Sequence, residues 1–149
     1  MERMKLLVLC TGNICRSPMA EVFLREHALR RGRAVTVRSA SILGLDGRLA
    51  HKHSVAVMIE HGFDIDAHRS QPLTPELVAW ADAILGMTME HSAQVRERYP
   101  EAGEKVSNLA SYGGMVQLTD PLGSWKRTFR RSRDDIETCC KAFIDRLPA

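Results

Sequence analysis

Leu6-Leu7-Val8-Leu9-Cys10-Thr11-Gly12-Asn13-Ile14-Cys15-Arg16-Ser17-Pro18 is the stretch on which the fold turns. A short unbroken apolar run ending in a polar loop reads as a strand buried on both faces, expected over about residues 5 to 9. Ser17 and Pro18 carry helix-start signals, Ser17 as the cap and Pro18 at the first position, and Gly32 stops that helix. Inside it, Met19, Val22, Phe23 and Leu29 fall at helical spacing for a core face, with Glu21, Arg25, Glu26, Arg30 and Arg31 outside. The unit is strand, tight polar loop, helix.

The same alternation continues outward. Val35-Thr36-Val37 reads as a strand, 41 to 50 as a glycine-containing loop, and Val55 to Glu60 as a helix stopped by Gly62. Pro75 to Ala81 predicts a short helix, Ala83 to Met87 a buried strand, His91 to Arg98 a helix, and Lys105-Val106-Ser107 a last short strand. A turn-rich loop over 111 to 124 leads to a closing helix from about Lys126 to Leu147. Strands alternating with helices predict a mainly parallel α/β sheet covered on both faces. No linker, repeat or low-complexity stretch divides the chain, so residues 1–149 are read as a single domain.

Composition narrows the function classes. The chain has 149 residues, 44% of them hydrophobic, enough to bury one core without disulfide staples. Its net charge of +3 is too balanced for a protein that neutralises a nucleic-acid backbone, so no nucleic-acid partner is expected. The charged head Met1-Glu2-Arg3-Met4-Lys5 precedes only four apolar residues, which suits a strand better than a secretion signal, and no run approaches the ~20 apolar residues of a membrane span. Cytoplasmic location without membrane insertion is the expectation, as a monomer or weak homo-oligomer. Cys10, Cys15 and the adjacent Cys139-Cys140 form no repeated metal-binding spacing and suggest reduced thiols with one catalytic member.

That member is Cys10. In parallel α/β sheets ligands sit beyond the carboxyl ends of the strands, and residues 10 to 17 occupy the first such loop. Gly12 and Asn13 tolerate left-handed angles, so successive N–H groups from Thr11 through Ser17 can turn inward as a nest at the positive end of the helix. Such a nest binds a tetrahedral dianion. Arg16 adds a fork for two phosphoryl oxygens, and Ser17 a hydroxyl that steadies a Cys10 thiolate. Cys15, five residues from Cys10 across a curled loop, is read either as a small buried side chain or as the partner in a reversible disulfide that shields the nucleophile from over-oxidation.

The bare spacing of Cys, five residues and Arg is weak evidence, because Cys140 to Arg146 matches it too. The second copy lies in an amphipathic helix, lacks glycine or asparagine, and is followed by Leu147 rather than a hydroxyl residue, so it is read as chance.

With its context, the run Val8 to Pro18 resembles the signature of the low-molecular-weight protein tyrosine phosphatase family. Arg38-Ser39-Ala40, Ala67-His68-Arg69-Ser70, Ala81-Asp82-Ala83-Ile84-Leu85-Gly86-Met87 and Asp120-Pro121 resemble further landmarks in the same order, so the resemblance spans essentially the whole chain. It implies a three-layer α/β sandwich around a four-stranded parallel sheet, the flavodoxin-like or Rossmann-like phosphotyrosine phosphatase I fold. It also implies two-step hydrolysis of a phosphorylated protein through a cysteinyl-phosphate, with neither metal nor cofactor. Asp120 becomes the proton donor, although an Asp-Pro pair read alone is a turn former. Asn13 is then expected to hydrogen-bond Ser39, and His68 to reach Ser17 and orient its hydroxyl.

Residues at the pocket walls pull in two directions on substrate. Ile14 suits a phenyl ring and favours phosphotyrosine, since the resembling arginine-phosphatase branch has threonine there. Asp120-Pro121-Leu122-Gly123 lacks the tyrosines of typical tyrosine phosphatases and looks more like the arginine branch. Leu43 and Leu45 stand where the family often places an aromatic wall. Phosphotyrosine is the primary reading and phosphoarginine the alternative. Thioredoxin-coupled arsenate reduction needs mid-chain resolving cysteines, and none lies between Cys15 and Cys139. An inactive phosphate-binding module is disfavoured because nucleophile, arginine, hydroxyl and acid are all present. The remaining histidines, His51 and His53 among them, lack acidic or cysteine companions at ligand spacing and are read as surface residues. The basic run Lys126, Arg127, Arg130, Arg131 and Arg133, balanced by Asp134, Asp135 and Glu137, reads as a solvated helix face.

Overall fold

The computed structural model describes residues 3–148; Met1, Glu2 and Ala149, the outermost residues of the domain read from sequence, lie outside the described residues. Ten named elements follow in order: β1 (Met4–Cys10), α1 (Arg16–Arg30), β2 (Val35–Ser41), α2 (Lys52–Ile59), α3 (Pro75–Trp80), β3 (Ala83–Gly86), α4 (Met89–Arg98), β4 (Val106–Asn108), α5 (Leu109–Tyr112) and α6 (Lys126–Asp145). The four strands form one parallel sheet in the order β2-β1-β3-β4. The chain therefore leaves β1 to one side and later returns to the other. A sheet wound this way opens a crevice at the carboxyl end of the strand where the order reverses, which is β1.

Alternation along β1 supplies both halves of the core. Leu6, Val8 and Cys10 join a cluster with Met19, Phe23 and Leu24 of α1 and Ile136, Cys140 and Ile144 of α6. Leu7 and Leu9 join the opposite cluster, with Leu77 and Val78 of α3, Ile84 of β3 and Val95 of α4. The result is a three-layer α/β sandwich. Leu6, Leu7, Val8 and Leu9 are completely buried, each contributing about 1.5–3 kcal/mol of transfer free energy, so the strand is a rigid base for the loop at its end.

Several boundaries differ from the sequence reading for physical reasons. β2 runs on through Arg38-Ser39-Ala40-Ser41, past the Val35-Thr36-Val37 strand read from sequence, although serines compete with the backbone for hydrogen bonds. Here the buried hydroxyls are satisfied elsewhere, Ser39 donating to Glu21 (2.6 Å) and Ser41 to the Thr11 carbonyl (2.9 Å). Helix α1 begins at Arg16, its N-cap is Cys15, and Ser17 does not act as the cap. Leu29 is 73% exposed rather than on the core face. The buried stripe is Ala20, Leu24 and Ala28 with Met19 and Phe23, and Leu29 is turned about 100° from Ala28. A 3-10 segment, Pro100–Lys105, and the short α5 were not legible as elements.

The basic stretch on α6 is not simply solvated. Arg133 is 6% exposed; it donates to the Val57 carbonyl (3.0 Å) and Glu60 (2.7 Å) and pairs with Asp134, while Arg130 also pairs with Glu60. The Arg130 and Arg133 hydrogen bonds pull the Glu60 carboxyl down to about 2. Cys139 and Cys140 are fully buried, and Cys140 contacts the Ala20 carbonyl at 3.7 Å. The second Cys-to-Arg match is thus core packing between α6 and α1.

Candidate active site

The loop from Cys10 to Arg16 is held by its carbonyls. Those of Cys10 and Thr11 accept from the Ile42 and Leu43 amides, that of Ile14 from the His51 amide, that of Cys15 from the Ser54 hydroxyl, and that of Asn13 from His68 Nε2 at 2.7 Å. With the oxygens pulled outward, the N–H edge faces the concave side. Asn13 has φ 58°, the one left-handed non-glycine among the described residues. Gly12 is not left-handed, contrary to the sequence reading. Its role is space, since a Cβ there would sit 3.3 Å from Leu45 Cδ1.

Inside the curl lies the Cys10 sulfur. It accepts the Asn13 N–H (3.2 Å) and the Ser17 N–H (3.4 Å), and Ser17 Oγ lies 3.0 Å away. The direction of that last bond follows from its neighbours. Asn13 Oδ1 accepts from the Gln71 amide (3.1 Å), which fixes the other side-chain atom as Nδ2, and Nδ2 donates to Ser17 Oγ at 2.7 Å. The Ser17 hydroxyl, already an acceptor, turns its hydrogen to sulfur. Three donors thus converge on one sulfur.

Two sequence-derived support contacts need correction. Asn13 does not bond Ser39; it reaches Gln71, whose side-chain Nε2 in turn donates to the Ser39 carbonyl (3.0 Å). His68 does not reach Ser17, because it is spent on the Asn13 carbonyl. Both residues still bear on the loop, one step removed from the contact expected.

Arg16 is 3% exposed. Its Nη1 donates to the Leu118 carbonyl (2.8 Å), Nη2 lies 3.4 Å from Thr11 Oγ1 and 3.5 Å from Asp120 Oδ2, and Nε is buried with no partner among the described residues. Asp120 is 42% exposed, and its Oδ1 caps its own turn by accepting the Leu122 amide at 3.0 Å. A cavity of about 90 Å³ is lined by Cys10, Thr11, Gly12, Ile14, Cys15 and Arg16 at its base and by Leu43, Leu45, Asp120 and Leu122 around its mouth. The walls are aliphatic. Burial, with the Cys10 charge next, pushes the Cys15 thiol up to about 12.

A family model described as low molecular weight phosphotyrosine protein phosphatase matches residues 5–149. The chain belongs to this family. Within it, the protein-arginine-phosphatase of Geobacillus stearothermophilus is 38% identical over 145 residues, 96% of this chain and 93% of that protein. The probable low molecular weight protein-tyrosine-phosphatase EpsP of Ralstonia nicotianae is 37% identical over 146 residues, 97% of this chain and 96% of that protein. Among solved structures, the YwlE arginine phosphatase, as a cysteine-to-serine mutant with a phosphorylated active-site serine, aligns with a TM-score of 0.92 at 33% identity, covering 97% of this chain and 95% of that one. Phosphatases named for tyrosine and for arginine are therefore both similar to this low-molecular-weight phosphatase.

Residues that the sequence reading passed over complete the site. His91, placed among surface histidines, is 6% exposed with Nε2 at 3.0 Å from Thr11 Oγ1. Its signal was positional, since the first turn of α4 follows β3 and β3 neighbours β1. His51 is not a free surface residue either. It holds the Ile14 carbonyl through its amide, caps α2 through Nδ1 and stacks on Phe129 at 4.8 Å. Ser41 and Gln71 had no local signal. Away from the site, His61 meets Asp134 and Glu137 despite lacking companions in sequence, but Arg133 and Lys141 already pair with those carboxylates.

Proposed function

We propose that this chain is a protein phosphatase that hydrolyses phosphotyrosine through a cysteinyl-phosphate. One observation carries the reading: the Cys10 sulfur, ringed by donors, lies at the base of the cavity beside a buried Arg16 whose Nε has no partner among the described residues. An anion with several oxygens supplies what that guanidinium and the loop amides lack.

In the first step Cys10 Sγ attacks phosphorus and forms the S–P bond while the P–O bond to the leaving group breaks. Asp120, at the mouth of the same cavity, gives its proton to the departing oxygen. The loop amides and Arg16 hold the three equatorial oxygens as charge spreads over them. In the second step water attacks phosphorus, Asp120 takes its proton, the S–P bond breaks, and inorganic phosphate leaves. Asn13, Ser39, Gln71 and His68 act by holding the loop, and Ser17 by its bond to sulfur. Every step is assigned to groups of the chain itself and to water, without metal or cofactor.

Ile14, Leu43, Leu45 and Leu122 form the walls and suit the flat apolar face of a phenyl ring. The similarity to the Geobacillus stearothermophilus arginine phosphatase favours a second reading, in which the Asp120 carboxylate faces a substrate guanidinium. Turnover of phosphotyrosine and phosphoarginine peptides by wild type and Ile14→Thr separates the two. Phosphotyrosine preference in wild type, shifting toward phosphoarginine in Ile14→Thr, is expected; wild-type preference for phosphoarginine overturns the assignment of Ile14. Loss of all turnover in Cys10→Ser is the control. Cytoplasmic location belongs to the same proposal. All four cysteines are free thiols and the nucleophile must stay reduced. No helix among the described residues is long and apolar enough to cross a membrane. Oxidation of Cys10 by peroxide to a sulfenic acid, followed by attack of Cys15 sulfur with loss of water, would give the protective disulfide.

A further inference from the structure

We propose that His91 is a positioning residue that fixes the Thr11 hydroxyl as a donor to the phosphate, adding a side-chain contact to those of the backbone nest and Arg16. This rests on the phosphatase reading and concerns a buried histidine that the two chemical steps do not use.

The tautomer follows from hydrogen-bond direction. His91 Nδ1 accepts the Met87 backbone N–H at 3.2 Å, and an amide can only donate, so Nδ1 carries no proton. Nε2 therefore carries the ring proton and donates it to Thr11 Oγ1 at 3.0 Å. Arg16 Nη2 approaches the same oxygen at 3.4 Å. Both lone-pair directions of Oγ1 thus face N–H donors, and the Thr11 hydrogen must point elsewhere. Thr11 lines the cavity with Cys10 and Arg16, where a phosphoryl oxygen is the acceptor that completes the set. In the opposite tautomer Thr11 would have to donate to Nε2, and the cavity would lose that donor.

Three features hold the ring in place. The α4 cap, Thr88 Oγ1, accepts the His91 amide at 3.2 Å and fixes the first turn. Gly86 makes room, since a Cβ there would lie 2.8 Å from His91 Cβ. Burial, reinforced by Arg16 and opposed by Asp120, pulls the imidazole down to about 4, so the ring is neutral at ordinary pH and can accept at Nδ1.

The test uses the intact protein and two readouts, inhibition of aryl-phosphate turnover by inorganic phosphate and the KM and kcat of that turnover. A hydrogen bond to a charged group, lost without leaving a gap, weakens binding roughly 10- to 100-fold. Thr11→Val is expected to raise the phosphate inhibition constant by that factor, and Thr11→Ser to restore it. His91→Phe should match Thr11→Val. His91→Gln should recover most of the loss, because its amide oxygen can take the Met87 N–H while its nitrogen donates to Thr11. In a Thr11→Val background, His91→Phe should add less than about twofold, because His91 acts only through Thr11. Unchanged phosphate inhibition in Thr11→Val, or an undiminished His91→Phe effect in the double variant, overturns the inference while leaving the phosphatase reading intact. A wild type that neither turns over aryl phosphate nor binds inorganic phosphate overturns both.

Discussion

Replacing Asn13 separates two forces that hold the loop. The side chain is fully buried, bridging the Gln71 amide and the Ser17 hydroxyl, and the backbone sits at φ 58°. Asn13→Ala leaves the Gln71 N–H without its acceptor, at about 1–3 kcal/mol. It also puts an ordinary side chain into the left-handed region, at about 1–2 kcal/mol, so about 2–5 kcal/mol of stability should be lost in all. Asn13→Gly loses the same hydrogen bonds but is at ease at that angle. It should therefore be more stable than the alanine variant by about 1 kcal/mol, a gap of ~2–4 °C in melting temperature for a domain of this size. Urea unfolding followed by far-ultraviolet circular dichroism measures the order wild type, glycine, alanine. Turnover should fall in both variants, because Ser17 loses the donor that turns its hydrogen toward Cys10. Equal stability of the alanine and glycine variants would refute the claim of backbone strain, and stability within ~0.5 kcal/mol of wild type would refute the role of the bridge.

Other perturbations follow from the same geometry. The unfolded chain protonates His91 near pH 6.5 and the folded protein near 4, so this contribution is intact above pH 6.5 and drains away between 6.5 and 4. Wild type should lose up to about 3 kcal/mol more than His91→Gln across that window, as urea midpoints at several pH values would show. Gly113→Ala places a Cβ 2.5 Å from Cys139 Sγ on the buried side of α6 and should destabilise by about 1–3 kcal/mol, read by the same unfolding curves. Because Cys15 is pushed up to about 12, formation of the Cys10–Cys15 disulfide after one peroxide pulse should accelerate as pH rises from 7 toward 9. Peptide mapping would show it, and a rate independent of pH would argue against the Cys15 sulfur as attacker.

What the sequence revealed and what it hid divide along a physical line. Strand β1, the loop after it and the alternation of strands and helices were legible because each is written in contiguous residues: an apolar run, a glycine-asparagine turn, a proline in the first helical turn. The residues that shape the loop from outside were not. Gln71, Ser41, His51 and His91 reach it from four separate segments, and no local pattern marks a side chain whose partner lies 30 or 80 positions away. Ser17 was misread for a related reason. A serine before proline has the composition of a helix cap, but in this fold its amide and hydroxyl both face the Cys10 sulfur. Arg133 looked solvated because its partner, Glu60, caps the C-terminal end of α2, 73 residues earlier.

The central claim is that Cys10 carries the phosphoryl group between the two steps. Acid-quenched reaction of the Asp120→Ala variant with an aryl phosphate whose phenol is acidic enough to leave without a proton, followed by peptide mass analysis, tests it most directly, because formation then proceeds while loss of the group that takes the proton from water should slow breakdown of the intermediate by about 10²–10⁴ and let it accumulate. The account predicts one added phosphoryl group on the peptide containing Cys10, absent in Cys10→Ser. Turnover with no phosphoryl group on that peptide, or with the group on another residue, would contradict it.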